Sequence, residues 1–553
     1  MLKTIIKYIC LILAFCTFSF ARPKAPFKVL FDNDFSNIYT CTSPYHPKKA
    51  DITPDMLRAS IDETAEAGVE VHLLQPYTMW VPFWQSKIYS MQEHRKWWKD
   101  TYGTDFITDF NFPLKSVAQY ILNGGDPVQD FVEHCHKKGI QAFLSTRMND
   151  CHHLEDIGNP KKGMMEICKF YAEHPEYRLD VQPQIQRMWL ARILNWEYPE
   201  VRQYKFSLIK ELIDNYDIDG IELDFMRHWM YFRLDKTTFA QRREIMSAFI
   251  KDVRKALDDK GGRYRWLCVR IPSDLVWFDK IGIDVQEWSN AGVDMFNLSN
   301  SYFTEQQNDA AQIKKLIPDK QVYVEFCHAT TIGTFVNKLG SDNKTMGYDN
   351  FTFRRTTPTQ FYTGAHLAYA RGLNGISTFN FVYYREYGAT GMGPFNEPPF
   401  EIMKHLGDPN WLAKQPQHYV LGEVSMGNRP LVLNRQLPQI IEEGQTAIFK
   451  MDMAPPSGGW KKDGKLRIQC TEDLGDAQFI AKINGKELQP TTDVSEPYNN
   501  PYPALLGTPQ QHRGWIVPKE IIVDGLDTIE VSLVVPKVKY GTAKIIFVDL
   551  AIE

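Results

Sequence analysis

The chain has 553 residues, 43% apolar and 24% charged, the make-up of a folded globular protein, and this excludes a disordered or collagen-like chain. At about 100–200 residues per domain there is room for two to four domains. Lys and Arg number 63 against 67 Asp and Glu, a net charge of −4, so no basic surplus exists to hold a phosphate backbone and no nucleic-acid partner is expected.

Residues 1–21 read as a cleavable signal peptide. Lys3 and Lys7 form a charged start, Ile9 to Phe20 is a short apolar run, and Ser19-Phe20-Ala21 offers a small-residue cleavage site before Arg22. An uncleaved anchor is the competing reading. The expected address is secreted or periplasmic. No later run reaches about 20 apolar residues, so no membrane span is expected in the mature chain. Of nine Cys, Cys10 and Cys16 fall in the signal and leave seven, an odd number without metal-ligand spacing; most should be small buried residues.

From 22 to 410 short apolar runs alternate with longer helical patterns, as in βα units around a parallel sheet. Eight strand candidates begin near Phe27 (FKVLF), Glu70 (EVHLLQ), Ile140 (IQAFLST), Ile218 (IDGIELDF), Tyr264 (YRWLCVR), Val293 (VDMFNLS), Gln321 (QVYVEF) and Asn374 (NGISTFN). Helical patterns cover 54–67, 127–138, 199–216 and 238–260. Most open on Pro or close on Gly, the asymmetry that helix ends favour. Eight such units predict a (β/α)₈ barrel, with a doubly wound open sheet as the alternative.

Two connections are too long for plain βα loops. Residues 79–102 hold Trp80, Trp84, Trp97 and Trp98; residues 149–197 are rich in His, Pro and aromatic residues. Both follow strands and would rise from the C-terminal face, where barrel active sites lie. Aromatic side chains there would serve as sugar platforms or pack under their own loops. From 411 to 553 short β runs separated by Gly, Pro and Asn predict an all-β sandwich. Asn484-Gly485 marks a hairpin in it. This domain would bind sugar or buttress the barrel.

The segment from Tyr216 to Arg227, YDIDGIELDFMR, is an apolar strand with acids at alternate positions. Glu222 and Asp224 share a face, and Asp224 lies at the strand's C-terminal end. Buried carboxylates are costly unless paired or used, so catalysis competes here with a buried ion pair. A glycosidase needs a second carboxylate. Glu325 in VYVEFCH ends the seventh strand candidate, and burial there would raise its pKa as a general acid requires. Glu222 and Asp274 are the fallback acids. Candidate sugar contacts at other strand ends are Asp32, Arg147, Asn149, Asp150, His152, Arg227, Arg270, Asn380 and Tyr383, with amide, guanidinium, imidazole and ring chemistry suited to hydroxyl-rich ligands. Asp150, His152 and His153 could begin a metal site, as in a metal-dependent esterase, but no third ligand cluster accompanies them. No P-loop, dinucleotide fingerprint or G-x-S-x-G elbow occurs, so no cofactor is expected.

The pair of segments 195–202 (NWEYPEVR) and 216–227 resembles the glycosyl-hydrolase-like barrel proteins of the family 10-like group, whose pattern runs roughly N-P-E-V-R, helix, Y-D-V-D-G-I-x-L-D-Y-x-R. The resemblance is general over 25–410 and specific over 195–227. It implies a barrel glycosidase with the strand-four acid, Asp224, as nucleophile. Glu222 stands where that pattern commonly has a neutral or different polar residue, so the division of labour between Glu222 and Asp224 stays open. Together these features lead to a secreted glycoside hydrolase acting on an oligo- or polysaccharide. A non-catalytic glycan-binding barrel is the competing reading.

Overall fold

The computed structural model describes residues 24–41, 43–46, 52–110, 114–150, 167–180, 192–332, 353–384, 398–423, 436–499, 506–535 and 541–553. Eight parallel strands close into a barrel: β1 (Val29–Asp34), β2 (Val71–Gln75), β3 (Gln141–Arg147), β4 (Gly220–Asp224), β5 (Trp266–Pro272), β6 (Met295–Ser299), β7 (Gln321–Phe326) and β8 (Gly375–Phe379). All eight expected strands are present, and the open-sheet alternative falls because β1 pairs with both β2 and β8.

The helices begin and end where local chemistry dictates. Helix α1 (Pro54–Glu66) is capped by the Thr53 hydroxyl, and Gly68 follows at φ +81°. Helix α2 (Pro127–Lys138) is capped by Asp126 and stops at Gly139, φ +74°. Helix α3 (Pro199–Asn215) opens on Pro, and α4 (Phe239–Asp259) on a Thr238–Gln241 capping box. Four more complete the ring: α5 (Val285–Ala291), α6 (Ala310–Leu316), α7 (Pro358–Ala370) and the one-turn α8 (Met403–Leu406). Among the described residues no helix is long and apolar enough to cross a membrane. Six cysteines are described, and all are buried.

The C-terminal region is two antiparallel sheets. One is built on β9 (Gln417–Gly422), β10 (Gln439–Glu442), β12 (Gly464–Cys470), β15 (Gln489–Thr491), β16 (His512–Val517) and β18 (Thr542–Ile552). The other holds β11 (Thr446–Met453), β13 (Gln478–Ile483), β14 (Lys486–Glu487) and β17 (Gly525–Val535). Asn484 and Gly485 both take positive φ between β13 and β14, as a tight hairpin requires. The sheets enclose their own apolar core around Phe449, Ile468, Val531 and Val548.

This sandwich is tied to the barrel by directional polar contacts. Gln306, after β6, donates to the His418 carbonyl at 3.1 Å and accepts from the Val420 amide at 2.9 Å. Arg371, at the end of α7, is paired with Asp452 at 2.6 Å. Arg354 enters the sandwich, where it meets Glu496 at 2.5 Å and lies 3.8 Å over the Phe547 ring. Arg467 continues the network to Glu496 at 3.0 Å and to Asp549 at 2.7 Å, and His418 meets Asp549 at 2.7 Å. The contacts are those of a buttress behind the loops that follow β6 and β7.

Of the two readings of the aromatic loop after β2, its four tryptophans follow the second and pack under the loop itself. Trp80, Trp84, Trp97 and Trp98 are all buried. The Glu211 carboxylate of α3 organises the turn: it accepts from Trp84 Nε1 at 2.9 Å, Ser86 Oγ at 2.6 Å and the Lys87 amide at 2.5 Å. The segment also folds into a helix, Met91–Tyr102, capped by Ser90. Trp97 and Trp98 sit on one side of it against Phe106 and Tyr102.

Candidate active site

Side chains of alternate barrel strands share a layer inside the barrel. The strand registers put Asp32, Ser145, Arg270 and Glu325 in one layer, from β1, β3, β5 and β7. The layer toward the C-terminal face holds Gln75, Asp224, Ser299 and Phe379; the layer beneath holds Leu73, Glu222, Asn297 and Ser377. Below these the interior turns apolar, with Leu30, Phe143, Cys268 and Tyr323. The barrel therefore has a greasy floor and a polar upper half.

Arg270 is the centre of that upper half. Its Nε and Nη2 reach the two oxygens of Glu325 at 2.6 and 2.7 Å, and its Nη1 reaches both oxygens of Asp224 at 3.1 Å. Nη2 also meets Ser299 Oγ at 3.1 Å, and the guanidinium stacks 3.8 Å over Phe379. Burial opposes the Arg270 charge, but Glu325 and Asp224 outweigh it and hold the group more firmly protonated than usual. Asp224 also accepts from the Met226 amide at 2.7 Å, which fixes its carboxylate at the top of β4.

The two glutamates differ in their surroundings. Glu325 has Arg270 and the Ser299 hydroxyl at 2.5 Å; burial still raises its pKa above the ordinary range. Glu222, one layer deeper, has only neutral partners: Ser145 Oγ at 2.7 Å, Asn297 Nδ2 at 3.2 Å and the Cys268 thiol at 3.4 Å. Burial pushes it up to about 7. Asn297 spans both acids, since its amide also lies 3.4 Å from Glu325.

Closer to the mouth, Arg147 pairs with Asp34 and, at 3.2 Å, with Asp150; His228 stands 3.5 Å from Asp150. Asn380 donates to Asp34 at 2.7 Å and accepts from the Asp34 amide at 2.9 Å, pinning β1 to β8. Arg227 donates to the Tyr302 hydroxyl and lies 5.4 Å over its ring. Backbone strain gathers at this rim. Met79 (φ 46°), Trp80 (64°), His228 (60°), Ser301 (62°) and Asn380 (46°) take left-handed conformations just beyond the ends of β2, β4, β6 and β8. Non-glycine residues adopt that region at a cost and concentrate at functional sites.

Of the sequence candidates, Asp32, Glu222, Asp224, Arg270 and Glu325 converge in the barrel. Arg147, Asp150, Arg227 and Asn380 ring the mouth. Two of the candidates, Arg270 and Asn149, are buried and hydrogen-bonded inside the protein. Arg270 is 1% exposed beneath Asp224. The buried Asn149 amide donates to the Leu194 and Met230 carbonyls at 2.8 and 2.9 Å, so it anchors the loop after β3. Asp274 is half-buried just past β5. His152 and His153 lie outside the described residues, as does the Tyr383 side chain. Ser145, Asn297, Ser299 and Phe379 were missed. The inward alternation that marks Glu222 and Asp224 also marks Asn297 and Ser299 on β6, but a neutral side chain carries no charge to single it out in an apolar strand. Among the described residues no group of three or more His, Cys, Asp or Glu is placed to hold a metal ion.

No protein-family model and no curated protein matches this chain. Distant likenesses exist among solved structures. A cycloisomaltooligosaccharide glucanotransferase of a Paenibacillus species aligns over 97% of this chain and 58% of its own, at 11% identity and a TM-score of 0.33. The chain thus spans little more than half of that protein. Alpha-L-fucosidase isoenzyme 1 of Paenibacillus thiaminolyticus aligns over 92% and 96%, at 12% identity and a TM-score of 0.32. An alpha-galactosidase of Geobacillus stearothermophilus aligns over 95% and 55%, at 11% and 0.35. Likeness this distant says nothing of activity, which the site has to carry.

Proposed function

We propose that this chain is a glycoside hydrolase acting on an oligo- or polysaccharide, working outside the cytoplasm once residues 1–21 are removed. The observation that carries this reading is the placing of Asp224. It tops a barrel strand at the C-terminal face, held by an amide and a guanidinium, one layer above a second acid. Strain around the same rim and the resemblance of 195–227 to family 10-like barrel proteins support it.

In this reading Asp224 acts at the anomeric carbon, and its fixed donors keep it oriented for attack. Glu325, whose pKa burial raises, gives its proton to the leaving oxygen. Glu222 lies a layer farther from the mouth and is the weaker candidate for that step. Asp34, Arg147, Asp150 and Arg227 supply the polar rim on which hydroxyls would dock.

One observation favours a second reading. Arg270 bridges Asp224 and Glu325, filling the space between them with a paired guanidinium. A closed polar core of this kind suits a barrel that binds glycan without cleaving it. The test is a pair of variants on aryl glycosides of good and poor leaving ability. Asp224→Asn should lose turnover on both, and Glu325→Gln chiefly on the poor one. Wild-type rates in both variants would remove these two residues from the chemistry; glycan binding by wild type with no turnover on either substrate would establish the binding protein.

A further inference from the structure

The five hydrogen bonds of Arg270 run to Glu325, Asp224 and Ser299 alone. Nε, the Arg270 atom nearest Asp32, gives its one N–H to Glu325, so the Asp32 Oδ2 that stands 3.6 Å from it receives no hydrogen bond. Asp32 is 2% exposed, and that oxygen has no hydrogen-bond partner among the described residues. Inward neighbours on β2 and β8 are Leu73, Gln75, Ser377 and Phe379, none of them charged. The charged groups facing Asp32 are Glu222 and Asp224 on β4, Arg270 on β5 and Glu325 on β7. The Cys268 and Cys327 thiols face it too, and burial keeps both protonated.

An ionised carboxylate without a donor, among three other acids inside a barrel, is a costly state. One proton removes that charge and makes Asp32 a donor.

We propose that Asp32 is a neutral carboxylic acid in the working protein and a positioning residue: by holding its proton it leaves Arg270 wholly to Asp224 and Glu325. The role, though not the neutral state, rests on reading those two as the catalytic pair. Burial and Glu222 both push the Asp32 carboxyl upward, in keeping with the geometry. Above its pKa Asp32 releases the proton to water and becomes a competing acceptor beside Nε. It then draws the guanidinium off Glu325, and the pair loses its alignment. Asp32 ionisation thus sets the alkaline limit of activity.

The test compares wild type with Asp32→Asn, which mimics the neutral acid. In infrared difference spectra at pH 7, wild type should show the carbonyl stretch of a protonated, deuterium-sensitive carboxylic acid that the variant lacks. No such lost band would overturn the neutral state, and this readout needs no substrate. In pH–rate profiles normalised to each protein's maximum, the alkaline limb should move up by a pH unit or more in Asp32→Asn. An unmoved limb would overturn the positioning role. Should Asp32→Asn fail to fold, the double variant Glu222→Gln, Glu325→Gln serves: an acid band persisting at neutral pH is expected from Asp32, and its absence contradicts the proposal. A wild type inactive on every glycan would count against the catalytic reading, and the infrared result would still decide the state of Asp32.

Discussion

The Arg270 guanidinium grips Glu325 by both carboxylate oxygens, at 2.6 and 2.7 Å, where each side chain is 1% exposed. Removing one partner of a buried pair strands the other charge, at a cost of about 3–5 kcal/mol. Arg270→Met should lose that much stability in urea unfolding, since it strands two acids. Arg270→Lys keeps the charge but not the forked geometry and should fall between. A loss under about 1 kcal/mol in Arg270→Met would show that the acids are already neutral.

Glu222 ties stability to pH. Its folded pKa, about 7, exceeds the ordinary glutamate value because burial disfavours its charge. The folded state therefore holds the proton more tightly than the unfolded one. The Glu222 contribution to stability is greatest below the ordinary glutamate value, falls as pH rises from there toward about 7, and levels off above it. The total is about 3 kcal/mol at about 1.4 kcal/mol per pH unit. Glu222→Gln should flatten this slope and raise the Tm at pH 8 above that of wild type; a lower Tm with the slope unchanged would refute it.

Glu211 holds the turn after β2 through three short hydrogen bonds. Glu211→Ala leaves the Trp84 indole and Ser86 hydroxyl buried without their acceptor, at about 1–3 kcal/mol per group. The variant should be less stable by about 3 kcal/mol and be cut by protease within 84–90. Proteolysis indistinguishable from wild type would show the aromatic packing alone sufficient.

The barrel was legible because its units carry their own punctuation. Thr53, Asp126 and Thr238 cap helices, Gly68 and Gly139 stop them, and each strand is a short apolar run. The acids of β4 could be read from alternation alone. Which partner each acid takes could not, since Arg270 and Glu325 are 55 residues apart and meet only when the barrel closes. The loop after β2 stayed open in the sequence because Trp and Tyr suit a sugar face and a core equally. Only the distant Glu211 and the Met91–Tyr102 helix decide for the core.

Asp549 ties β18 to Arg467 of β12 and to His418 of β9 within the sandwich. Burial works to raise its pKa, but Arg467 and His418 outweigh this and hold it well below the ordinary range. Its stabilisation is present above the unfolded aspartate value and is lost as pH falls through that value and below. Asp549→Ala leaves Arg467 with Glu496 as its one acidic partner and should cost about 1.5–3 kcal/mol. Calorimetry should then show the sandwich melting before the barrel. One unshifted transition would contradict this role.

The most direct measurement is release of reducing ends from a broad panel of plant, algal and host polysaccharides, wild type beside Asp224→Asn. Release by the wild type, abolished in a folded Asp224→Asn, is the expected result. Equal release by the two proteins would contradict the role of Asp224. Binding of a panel glycan by wild type without any release would contradict hydrolysis itself.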